Sequence, residues 1–109
     1  MSQNEILLVT TDEVPGRKVV EVFGLVEGRS VRARHVGRDI QAVVRSIAGG
    51  RVGVYVELLS ETREEAVSEM INEAQEMGAN AIVAVRMATS QVMNDAAEVL
   101  SYGTAVRLE

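Results

Sequence analysis

Residues 51–77 read RVGVYVELLSETREEAVSEMINEAQEM, and their spacing predicts one long helix over about 54–77. Leu59, Arg63, Ala66, Met70, Ala74 and Met77 recur at three- and four-residue intervals, and Val67 and Ile71 widen that apolar stripe. Glu57, Glu61, Glu64, Glu65, Glu69, Glu73 and Glu76 fall on the opposite side. Gly78 suits the position just past the helix end, where a left-handed backbone costs glycine little.

Strand signals flank this helix. Ile6–Thr10 reads as a short buried strand, and the only proline, Pro15, stands beside Gly16 in a turn. Residues 18–31 read as a longer strand, with Val20, Val22 and Val26 on one side and Val19, Phe23 and Leu25 on the other. Apolar residues on both sides imply a central strand or one covered by a partner subunit. Gly24 and Gly28 inside it mark a bulge or a close backbone approach.

Residues 38–48 place Ile40, Val43, Val44 and Ile47 at helical spacing, ended by Gly49 and Gly50. Residues 79–89 favour a strand, 91–95 a hairpin loop, and 96–108 the last strand, with Leu100, Tyr102, Val106 and Leu108 on one parity. The order is β-β-α-α-β-β. Grouped strands around grouped helices predict a small α+β domain over 1–109, with a sheet packed on two helices.

Composition bounds the function. The 109 residues carry a net charge of −5, too acidic for a nucleic-acid binder that must neutralise phosphates. The chain has no cysteine, which removes disulfides, thiolate ligands and a cysteine nucleophile. No apolar run approaches membrane-spanning length, and the first residues lack the pattern of a signal peptide, so the expected location is the cytoplasm. His35 is the only histidine and finds no second histidine for a metal pair; an exposed loop residue is the simpler reading. No nucleophile–base–acid spacing is legible, so the expectation is a protein that is not an enzyme. Residues 49–53, GGRVG, could hold an anion at a helix N-terminus, but no Gly-Lys-Ser/Thr follows; a tight turn between helices is the plainer reading.

Charge is segregated along the chain. Residues 29–51 hold six arginines against one acid, Asp39, and residues 57–76 hold seven glutamates against one arginine, Arg63. Glu57, Glu61, Glu65, Glu69 and Glu73 form a ladder of like charge at four-residue spacing, which costs a free helix roughly 0.2–0.5 kcal/mol per neighbouring pair. Three readings stand: a solvated face, pairing with the arginine segment within or between subunits, and cation binding. A straight row converges poorly on an ion.

Arg38-Asp39, then residues 47–55, IAGGRVGVY, ahead of a glutamate-rich helix, resemble the YbjQ family. Residues 76–83, EMGANAIV, and 102–106, YGTAV, are similar to its other hallmark blocks, and residues 24–28, GLVEG, to its strand motif. Val56 and Leu58 depart from the charged residues the family carries after the tyrosine. The resemblance implies a domain labelled as heavy-metal-binding and a subunit that assembles into a ring, as a homopentamer or stacked decamer. It points to Arg38, Asp39, Gly49, Gly50, Arg51 and Tyr55 as shared ligand-binding or structural positions. The expected function is binding of a divalent metal ion or small ligand between subunits. The alternative is an adaptor that holds a protein partner through its acidic helix.

Overall fold

The computed structural model describes residues 5–33, 53–93 and 96–109. These form β1 (Leu7–Leu8), β2 (Val19–Ala33), α1 (Gly53–Met77), β3 (Ala81–Met93) and β4 (Ala96–Leu108). The strands make one mixed sheet in the order β1-β3-β4-β2, with β1 parallel to β3 and the other neighbours antiparallel. Among the described residues one helix packs on one face of this sheet, so the α+β class holds. The expected helix over 38–48 lies outside the described residues, as do His35 and the 49–50 glycine link.

The long helix forms where expected, and Ala66, Met70, Ala74, Val67 and Ile71 face the core as its stripe predicts; the stripe departs at Arg63 and at Met77. Thr62, Ala66, Met70 and Ala74 are fully buried, whereas Arg63 is exposed and Met77 is 38% exposed. Periodicity favoured the long Arg63 stem over its polar neighbour, and the small Thr62 is what the tight helix–sheet contact admits. The helix ends as Gly78 predicts. Gly78 takes φ 93°, its N–H donates to the Gln75 carbonyl, and the Ala79 N–H reaches back to Ala74, the two bonds of a Schellman cap.

One core cluster lies under the helix: Val26, Met70, Ala74, Ala79, Ile82, Val85 and Ala105, with Phe23, Val67 and Ile71 packed against it. A second lies on the other face of the sheet, where Val9 and Val14 cover Ala81, Val83, Val106 and Leu108. The N-terminal segment reaches that position by tracking β3: Val9 N–H donates to Ile82, and the Ala84 N–H, at a bulge with φ 56°, donates to Thr11. The 6–10 run is thus not an interior strand. Its two-residue strand is an edge, with Leu7 40% exposed. Of the loop expected over 91–95, residues 91–93 belong to β3 instead, which runs to Met93, and β4 begins at Ala96.

Asn80 closes the sheet at the helix end. Its side-chain Nδ2 donates to the Leu108 carbonyl (2.9 Å), and its Oδ1 accepts from the Leu108 N–H (2.7 Å). The amide completes the ladder where β3 has not yet begun.

Candidate functional site

Arg38, Asp39, Gly49, Gly50 and Arg51 lie outside the described residues. Tyr55 falls in the first turn of α1, where only the backbone is described. What the described residues do bring together is the middle of β2 and the glutamate side of α1.

The contact begins at Gly28. A β-carbon there would lie 1.9 Å from the Ala66 carbonyl oxygen and 2.6 Å from the Met70 nitrogen, so helix backbone rests directly on strand backbone. The Ser101 hydroxyl on β4 donates to the same Ala66 carbonyl (2.9 Å). Held this close, the helix presents its carboxylates to the strand's outer edge. Glu73 Oε1 accepts from the Glu27 N–H (3.0 Å), Glu69 Oε1 from the Arg29 N–H (2.9 Å), and Glu65 Oε1 from the Ser30 hydroxyl (2.5 Å).

The spacing explains the ladder. Outward N–H groups of an edge strand recur every two residues, about 6.6 Å. Glutamates four apart on a helix recur every ~6 Å. The helix runs antiparallel to β2, so Glu73 and Glu69 meet two successive outward N–H groups, and Glu65 meets the Ser30 hydroxyl beyond them. Like charges in a row are tolerated because backbone donors face them. The side chain of Arg29 goes elsewhere, to Glu98 Oε2 on β4 at 2.9 Å. Among the described residues, Glu69 and Glu73 thus meet backbone N–H groups of the strand, and Glu65 meets the Ser30 hydroxyl. Oxygens spread along a straight rail do not converge on an ion, and no described group of three acidic or histidine side chains could hold a metal.

Among the described residues, the β2 side of the sheet face away from the helix is left uncovered. β2 pairs with β4 through two register shifts, between Val19 and Glu21 and between Val22 and Gly24. Val19, Val22 and Leu25 therefore pair with Leu108, Val106 and Thr104, all on one parity of β4, and share one face. The expected split, with Val20 and Val22 on the side of Val26, fails because each shift advances the strand by one residue. The exposures are 39% for Val19, 63% for Val22 and 65% for Leu25; Val31 and Tyr102 continue the same exposed face. Sequence parity missed this ridge. Gly24, at φ 121° beside the second shift, was its one legible mark.

Helix-on-sheet packing, with a carboxylate rail along one strand edge, defines a small α+β protein organised around the long helix α1. The chain belongs to the YbjQ family, whose model, described as "Putative heavy-metal-binding", matches residues 6–109. It is 52% identical over 106 residues to a UPF0145 protein of Archaeoglobus fulgidus, covering 97% of this chain and 98% of that one. A UPF0145 protein of Thermus thermophilus is 49% identical, covering all of this chain and 96% of its own length. The fold is similar to a crystal structure of a protein of unknown function from Pediococcus pentosaceus, assigned to the DUF74 family, with a TM-score of 0.61, 16% identity and coverage of 95% and 98% of the two chains.

Proposed function

We propose that the chain is a subunit of a cytoplasmic homo-oligomer that binds rather than catalyses, holding a divalent metal ion or small ligand where subunits meet. The observation that carries this reading is the exposed apolar ridge of Val19, Val22 and Leu25 on the sheet face away from the helix. Contiguous apolar surface of this kind marks a protein interface. The family description supports the metal, and the sequence resemblance supports a ring of five or ten subunits. Arg38, Asp39, Gly49, Gly50, Arg51 and Tyr55 are the positions proposed to meet the ligand. The adaptor reading has less support, because Glu65, Glu69 and Glu73 already accept hydrogen bonds from β2.

Native mass spectrometry of protein purified without a metal-affinity tag tests both halves together. The expected spectrum is a closed oligomer carrying extra mass that a chelator or denaturation removes. A single-chain species at micromolar concentration would end the oligomer reading. An oligomer of bare polypeptide mass would end the ligand reading alone.

A further inference from the structure

The outer edge of β2 is divided in two. Its downstream half, residues 27–30, is occupied by the glutamates of α1. Its upstream half, residues 19–25, is not occupied by any described residue. By the two-residue alternation that turns the Glu27 and Arg29 N–H groups outward, Leu25 also faces outward. The next step along the rail, four residues past Glu73, is Met77, which carries no oxygen, and α1 ends there. No hydrogen bond from the described residues reaches the outer edge of 19–25. The same stretch, VVEVFGL, carries one charge, Glu21, and exposes Val20 (47%) besides the ridge. Unpaired strand edges with apolar side chains recruit another strand.

We propose that residues 19–25 pair antiparallel with the same residues of a second copy, about a two-fold axis at Val22. This rests on the oligomer reading above in its ten-subunit form, where a two-fold contact joins two rings; a ring of five has only head-to-tail contacts and no two-fold axis. Self-pairing is favoured over an unrelated peptide by complementarity written into the stretch itself. Residues equidistant from Val22 meet across such an axis. Val19 then lies near Leu25 of the copy, so ridge meets ridge. Arg17 lies near Glu27 of the copy, so opposite charges meet. Glu21 faces Phe23 of the copy rather than its own counterpart, which avoids like charges directly opposite. A two-fold contact requires this self-complementarity. The rail limits the pairing, since a strand extending past Leu25 would have to displace carboxylates from the Glu27 and Arg29 N–H groups.

Cysteine cross-linking tests the axis in a chain that has no cysteine of its own. Val22→Cys would set two thiols directly across the axis, where β-carbons lie about 4.5–5.5 Å apart, near disulfide reach. Val31→Cys, on the same face of the same strand, is the control. Mild oxidation is expected to convert most Val22→Cys chains to a covalent dimer on a non-reducing denaturing gel, and to leave Val31→Cys single. Equal cross-linking of both variants overturns the proposal, as does a single-chain Val22→Cys whose native particle is multimeric; in the latter case the oligomer reading survives with its interface elsewhere. A wild-type monomer in native mass spectrometry ends both, and a closed five-subunit particle ends the axis alone. A Val22→Lys variant with wild-type circular dichroism is expected to form smaller particles, and unchanged particle mass would count against the axis.

Discussion

Gly24 and Gly28 stand four residues apart in one strand for unlike reasons. Gly28 has an ordinary backbone but no room, with helix backbone already where a β-carbon would be. Gly24 has room, nothing within 4 Å, but a φ of 121° that other residues rarely adopt. Gly28→Ala should therefore push α1 off the sheet and cost about 3 kcal/mol, at or beyond the upper end of overpacking penalties. Gly24→Ala should cost about 1 kcal/mol through backbone strain alone. Urea unfolding of the two variants checks the ranking; a Gly28→Ala protein as stable as the wild type would contradict the close approach. Met70, fully buried beside that contact, is the third residue to probe, and Met70→Ala should cost about 2–5 kcal/mol by leaving a cavity. Sequence alone marked both glycines as a bulge or a close approach without saying which was which. That distinction depends on where the helix lies, and no local pattern encodes it.

At the level of elements, the strand edge and the glutamate ladder explain each other. A strand edge has no sequence signature, because its donors are backbone groups that every residue but proline carries. The ladder's period was legible, its partner was not, and the arginine segment was the only complement that side chains could suggest. Strand phase failed for a related reason: two bulges advance the pattern, and only one has a glycine beside it. The ladder reading makes a specific prediction. Glu69→Ala should speed amide hydrogen exchange at Arg29, and Glu73→Ala at Glu27, with Val26 unchanged because its amide faces β4. Each should cost about 1 kcal/mol, since both bonds are charge-assisted yet exposed. Glu69→Gln, which keeps an acceptor oxygen, should retain most of the protection. Equal exchange in all three variants would mean that the carboxylates only happen to lie near the edge.

As a whole, the molecule measures 51 × 27 × 24 Å, with a radius of gyration of 17.0 Å. A compact chain of this length would have about 13 Å. The long strands and the helix α1, laid lengthwise, give an elongated molecule with much surface for its core. If the proposed oligomer forms, mass action makes stability depend on concentration. The wild-type melting temperature should rise as protein concentration rises tenfold, and that dependence should weaken in Val22→Lys. A melting temperature independent of concentration would speak for a self-sufficient monomer. Asn80 gives the whole molecule a slower vulnerability, in time rather than in concentration. The amide that joins the helix end to Leu108 is chemically perishable: hydrolysis to aspartate would replace the Nδ2 donor by a negative charge facing the Leu108 carbonyl. Protein that has lost this amide should loosen at β4 first, while the glutamate rail stays intact.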